Sequence, residues 1–322
     1  MVKFNPTQDL NDLSGKVVIV TGANTGIGYS TVKHLANRGA KVYLGSRTEK
    51  KGKDAVEKLK GPLGIVGKGD VVFLPCDLGS PASAKQAAED FLKLENRLDV
   101  LINNAACTYD KTEAPAQDGI SEMMMVNHFG TFQFTSTLFP LLKKTSEEKG
   151  SDVRIVTLSS ALHLKTLGAK DKTLFNSMDE FRNFYVKTSI PTLSRYNSSK
   201  FANLLFSNAL QRRLTAESSD IICISLHPGI VNTSVAGRMP FPLNRITGFL
   251  MSTLALTPDQ GAYNSCFAAA SPLVRKSADK YKGAYLMPVG RIVQPAVNTK
   301  DVGMQDALWE TTETYLKQSA SK

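Results

Sequence analysis

Thr21-Gly22-Ala23-Asn24-Thr25-Gly26-Ile27-Gly28 follows the apolar run Lys16-Val17-Val18-Ile19-Val20. It opens a segment from Ile27 to Arg38 with Val32, Leu35 and Ala36 on one helical face and Gly39 as a C′ residue. The order is strand, glycine turn, helix. Gly22 permits backbone angles that a side chain would bar. Gly26 lets a backbone approach a pyrophosphate, and Gly28 lets the helix pack close to the sheet. The helix start presents free N–H groups and a positive dipole end to anionic groups. Gly22, Asn24, Thr25, Gly26, Ile27 and Gly28 are therefore candidate dinucleotide-binding residues. A glycine triplet alone is a weak signal, but between an apolar strand and an amphipathic helix it is a specific one.

The same rhythm continues along the chain. Apolar runs at 16–20, 41–44, 71–74, 100–103, 153–158, 221–226 and 283–286 predict seven strands. They are continuously apolar rather than alternating, as strands buried on both faces are. Helical patterns lie between them, one opening at Ser80-Pro81 with serine as N-cap and proline at N1. Strand and helix in succession predict right-handed crossovers and an α/β fold with a doubly wound parallel sheet. No linker or internal repeat interrupts residues 1–322, which are expected to form one domain.

Composition sets the outer bounds. The 322 residues are 42% hydrophobic and 21% charged, enough apolar material for a core and too much for a disordered chain. The formal net charge is +10, but the lysines are scattered and no zinc-finger or RNP pattern accompanies them. Nucleic acid is not expected as a partner. Cys76, Cys107, Cys223 and Cys266 form no CxxC pair, so neither disulfides nor a zinc site is expected. No apolar stretch reaches the roughly 20 residues of a membrane helix, and the first residues lack a signal-peptide core. A cytoplasmic location is the expectation.

The second strand ends in Gly45-Ser46-Arg47-Thr48, without the acidic residue that holds a free ribose 2′-hydroxyl in NAD sites. Ser46 can donate a hydrogen bond and Arg47 can pair with a 2′-phosphate, so NADP(H) is the expected cofactor. Asp77, just after the third strand, is placed to accept from an adenine amino group or to cap the following turn. Leu78 beside it joins the cofactor set.

The combination of TGxxxGIG at 21–28, Asn103-Asn104-Ala105-Ala106, Ser159-Ser160 and Tyr196-Asn197-Ser198-Ser199-Lys200 resembles the short-chain dehydrogenase/reductase family. The likeness continues through Val126-Asn127-His128-Phe129-Gly130, His227-Pro228-Gly229-Ile230-Val231-Asn232-Thr233 and Thr257-Pro258-Asp259-Gln260-Gly261-Ala262. It is greatest toward the retinol-dehydrogenase-like branch, which includes carbonyl reductases. The resemblance implies a Rossmann-type seven-stranded parallel sheet in the order 3-2-1-4-5-6-7. It implies Tyr196 as general acid/base and Lys200 as the cation that lowers the phenol pKa and holds the nicotinamide ribose. It implies Ser160 as the group that hydrogen-bonds the substrate oxygen, with family alignment favouring it over Ser159, and Asn127 as holder of a relay water. Asn104 and Ala105 would line the adenosine ribose, and Val231 and Thr233 would contact the nicotinamide amide and phosphates. Relatives often form homodimers or homotetramers through the helix bearing the tyrosine.

The chemistry is coherent on its own terms. Hydride transfer to a carbonyl carbon leaves charge on oxygen, which needs a proton donor and a second hydrogen bond. A tyrosine four residues before a lysine, with a serine opposite, provides both, and no metal is required. His163 is a candidate substrate contact or a structural group, whereas His128 and His227 read as fold supports. Met123-Met124-Met125 reads as core filling. Two features depart from the family. Ser160 and Tyr196 are 36 residues apart, longer than in much of the family, and Ala106 replaces its usual glycine. The methyl of Ala106 is expected to tighten packing near the ribose.

Residues 161–190 and 229–257 are expected to form substrate loops, with Leu162, Leu164, Leu167, Phe175, Met239 and Phe241 lining an apolar cleft. The apolar piece at 246–256 could pack over substrate, enter the core, or touch a membrane or partner. The expected substrate is a medium-sized apolar carbonyl or alcohol compound, with reduction favoured. The rival readings are a non-catalytic NADP(H) sensor or scaffold and an enone C=C reductase.

Overall fold

The computed structural model describes residues 4–62, 64–108, 118–166, 175–183, 185–231 and 255–320. β1 (Val17–Val20) is buried at every position and lies in the interior of one sheet. It pairs in parallel with β2 (Lys41–Ser46) on one side and β4 (Val100–Asn103) on the other. β3 (Asp70–Pro75) lies outside β2, and β5 (Arg154–Leu158), β6 (Ile222–Leu226) and β7 (Tyr285–Met287) follow β4. The strand order reverses between β1 and β4, and their C-terminal ends open a crevice where ligands of such sheets bind.

The continuous apolar runs are explained by two cores. Ile19, Leu101, Ile155 and Cys223 point to one face. Val18, Val20, Ile102, Val156 and Ile224 point to the other. α1 (Gly26–Asn37) covers the second face with Val32 and Leu35. α2 (Glu49–Lys60) adds Ala55 and Leu59 to it. On the first face lie α3 (Pro81–Leu94), α4 (Thr131–Ser146) and α5 (Pro191–Ala216). Ser80 caps α3 as expected, its hydroxyl accepting from the Ser83 N–H at 3.1 Å. α6 (Pro258–Ala270) packs beside α1 behind a capping box of Thr257 and Gln260.

Among the described residues the sheet has eight strands rather than the seven expected, and it is not wholly parallel. β8 (Arg291–Val293) runs antiparallel to β7 at the edge. It is three residues long and mostly exposed, so it lacks the apolar run that marks the buried strands. An antiparallel edge on a parallel sheet needs only a short turn, here through Gly290 at φ +68°.

α7 (Val302–Ala320) lies along α5 and touches α3. Trp309 packs edge-on against Phe132 at 4.7 Å and under the Arg213 guanidinium at 4.3 Å. His128 and Thr312 are joined at 2.8 Å, and the Thr312 hydroxyl donates to the Leu308 carbonyl. The hydroxyl proton is thus spent, which makes His128 Nε2–H the donor. Burial holds His128 neutral, its pKa down to about 3, in keeping with a fold support. The chain's own C-terminal helix therefore occupies a face of the tyrosine-bearing helix. Any assembly through that face must accommodate or displace it.

Candidate active site

The glycine turn sits at the C-terminal end of β1. Thr21 Oγ1 accepts from the Asn104 and Ala105 amides at 3.1 and 3.0 Å. The Asn104 side chain donates to the carbonyls of Thr21 and Gly22 at 2.7 and 3.1 Å. The ends of β1 and β4 are thereby locked together across the crevice. Gly28 is required by close approach, since a Cβ there would come within 2.5 Å of Asn104 Nδ2 and 2.8 Å of two backbone atoms. Gly26 differs: it has φ +62°, and a Cβ there would meet nothing within 4 Å. Thr25, the N-cap of α1, makes no side-chain cap. Open space over uncapped first-turn amides fits the phosphates of a dinucleotide. A 410 Å³ cleft adjoins the turn, with Asn24, Thr25, Gly26 and Tyr29 on one wall and Lys51 and Lys58 on the other.

Ser46 is buried at the end of β2 and donates to the Thr48 carbonyl at 3.3 Å. Arg47 is half exposed and paired with Glu122 at 3.2 Å. Asp77 accepts from the Gly79 amide at 2.8 Å, so it does cap its own turn. Leu78 is buried in the core, with its carbonyl against Gly130. Val231 pairs with Leu256 and packs against Gly261, which also neighbours Ile27 of the glycine turn. Ala106 is exposed in the loop after β4, so its methyl faces no protein core.

Ser160 follows β5 directly, and Tyr196 and Lys200 lie on α5 above it. The Ser160 side chain faces the Tyr196 phenol and favours its ionised form. It also accepts from the Leu162 amide at 3.2 Å. Ser159 faces the other way and donates to the Lys200 carbonyl at 2.8 Å. Lys200 is 2% exposed, donates to the Leu158 carbonyl at 3.0 Å, and lies 5.7 Å from the Tyr196 ring centre.

The electrostatics differ from expectation in one respect. The resemblance implied a phenol made more acidic by Lys200. Burial instead pushes Tyr196 up to about 12, the Ser160 side chain opposing it. The same desolvation brings Lys200 down to about 8. In the protein alone, loss of water outweighs the attraction between the two charged forms. The phenol is therefore a proton donor at neutral pH.

Asn127 lies in a π-helical turn, Met125–Gly130, before α4. Its side chain accepts from the Cys107 amide at 2.7 Å and donates to the Cys107 carbonyl and Ser199 hydroxyl, both at 2.9 Å. It clamps the loop after β4 to the helix of Tyr196. π-turns of this kind commonly mark functional positions. The Met123-Met124-Met125 run before it is buried, as expected.

His163 is a structural group rather than a substrate contact. It is fully buried, with Nδ1 2.6 Å from the Ser160 carbonyl and Nε2 accepting from the Ala296 amide at 3.1 Å. Phe175 is also fully buried, packed on Phe181 and Phe201, so it lines the core and not a cleft. Leu162 and Leu164 are exposed. Thr233, Leu167, Met239, Phe241 and nearly all of the 246–256 piece lie outside the described residues. Sequence reasoning missed Tyr285, whose phenol is buried without a partner among the described residues and is electrostatically coupled to Tyr196. Its strand position carried no motif to flag it.

A reversed strand order, a phosphate-ready turn and a serine–tyrosine–lysine cluster define a dinucleotide-binding oxidoreductase of Rossmann type. Comparison with known proteins narrows the class. A family model described as short chain dehydrogenase matches residues 16–169. A short-chain dehydrogenase/reductase of Armillaria gallica is 39% identical over 96% of this chain and 95% of its own. Human retinol dehydrogenase 14 is 34% identical over 84% of this chain and 78% of its own. A crystal structure of a protein from Mycobacterium Paratuberculosis superposes with a TM-score of 0.69 at 29% identity, covering 97% of each chain. The chain belongs to the short-chain dehydrogenase/reductase family, in its retinol-dehydrogenase-like branch. No helix among the described residues is long and apolar enough to cross a membrane.

Proposed function

We propose that this protein, as one catalytic domain, reduces the carbonyl group of a medium-sized apolar ketone or aldehyde with NADPH. The observation that carries the reading is the Ser160–Tyr196–Lys200 cluster at the end of β5, at the same C-terminal edge of the sheet as the turn that can hold the dinucleotide phosphates. When bound, the reduced nicotinamide supplies the hydride to the carbonyl carbon. The residues do the rest. Ser160 and the Tyr196 phenol can both receive the substrate oxygen. Tyr196, held protonated by burial, gives its proton to that oxygen as charge develops. Lys200 stabilises the resulting phenolate and holds the nicotinamide ribose. Gly22, Asn24, Thr25, Gly26, Ile27 and Gly28 receive the pyrophosphate. Asn104, Ala105, Asp77 and Leu78 border the adenosine, and Val231 and Thr233 border the nicotinamide. Ser46 and Arg47 receive the 2′-phosphate, whose extra charge favours NADP(H) over NAD(H).

The test is a panel of apolar ketones and aldehydes incubated with NADPH or NADH and followed by cofactor absorbance. Consumption with recovery of the alcohol is expected. Binding of NADPH with no turnover across the panel would favour a sensor, and a saturated product from an enone would favour C=C reduction. Arg47→Asp is expected to lower the NADPH-to-NADH ratio of kcat/KM by roughly 10- to 100-fold, the worth of one charged hydrogen bond. An unchanged ratio removes Arg47 from cofactor choice.

A further inference from the structure

Arg47 and Glu122 are 75 residues apart in sequence. Arg47 follows β2 and Glu122 opens the short helical turn Glu122–Met124, so the chain reaches the two from opposite sides of β1. They meet at 3.2 Å through one guanidinium nitrogen. We propose that Glu122 sets cofactor discrimination, holding Arg47 in an ion pair that a 2′-phosphate must open and a 2′-hydroxyl need not. The inference rests on the cofactor site proposed above and extends it to a residue outside that set.

The chemistry is asymmetric between the two dinucleotides. A phosphate monoester brings close to two negative charges and three acceptor oxygens, and it competes directly with the Glu122 carboxylate for the guanidinium. Winning that competition leaves the carboxylate beside the phosphate with no cation between them. NAD(H) is neutral at that position and leaves the pair closed. Glu122 therefore penalises NADP(H) alone and brings the two affinities closer than Arg47 would set them. Both side chains are substantially exposed, at 50% and 34%, so the penalty is modest. Glu122 also lies in the first turn of its helix, where a negative charge is favourable in itself. That role acts on stability and is blind to which dinucleotide binds.

Dissociation constants for NADP⁺ and NAD⁺ are to be measured by calorimetry on the wild type and on Glu122→Gln, with the melting temperature of each. The NADP⁺ constant is expected to fall roughly two- to tenfold in the variant, while the NAD⁺ constant stays within about twofold. In an Arg47→Met background the gain from Glu122→Gln should shrink to what repulsion between carboxylate and phosphate contributes, because the ion pair is already gone. A variant that changes both constants equally, or neither, overturns the inference, and a melting shift alone assigns Glu122 to its helix. If the wild type binds neither dinucleotide, the functional reading fails and this inference with it. If it binds them and the ratio ignores Glu122, the inference alone fails.

Discussion

Tyr196→Phe is expected to lower turnover roughly 10²- to 10⁴-fold while leaving the dissociation constant for NADPH nearly unchanged. The substitution removes one oxygen and keeps the ring. Burial keeps that oxygen protonated far above neutral pH. Ser160 retains its contact with the Leu162 amide, so the local turn survives the change. The ring remains 5.7 Å from the Lys200 ammonium, which leaves the helix register and the cation in place. Loss of rate with unchanged binding is the signature of a group that acts only as charge develops on the substrate oxygen. Rapid kinetics in single turnover would check it. Full activity in the variant would move the proton donor elsewhere, and Tyr285 would be the first group to examine.

Much of this arrangement was legible in the sequence, for identifiable reasons. Strands buried on both faces write themselves as unbroken apolar runs, so β1 through β7 were found to within a few residues. The glycine turn was legible because its neighbours were a strand and a helix. What escaped depended on contacts between distant residues or on burial. β8 has three mostly exposed residues and no pattern to announce it. The Arg47–Glu122 pair joins residues whose charges carry no mark of each other in the chain. Phe175 looked like a loop residue because its segment is polar, yet Phe181 and Phe201 enclose it. The spacing of Tyr196 and Lys200 correctly put them on one helix, but spacing contains no term for lost water. Desolvation decides the direction of the tyrosine shift, and only three-dimensional burial reveals it.

Lys200→Met is expected to stabilise the cofactor-free protein while turnover collapses. Lys200 is 2% exposed, and burial alone lowers its pKa from 10.5 to about 8. The difference corresponds to about 3 kcal/mol of destabilisation carried by the buried ammonium at neutral pH. Methionine has a similar length and no charge to desolvate. The Leu158 carbonyl would not be orphaned, because Asn203 also donates to it at 3.2 Å. Loss of the cation beside the Tyr196 ring offsets part of the gain, so the net is about 1–2 kcal/mol. The pH dependence has a defined sign. Below pH 8 both folded and unfolded chains carry the charge, and the wild type bears the full penalty. Between pH 8 and 10.5 the folded wild type releases its proton first, so its stability rises relative to the variant. The advantage of Lys200→Met should therefore be largest at pH 7 and vanish near 10.5. Urea unfolding across that range, without cofactor, measures it directly. Equal stability at every pH would show that the amine is not desolvated, and Lys200 would then have no strain to relieve by engaging the phenolate and the ribose.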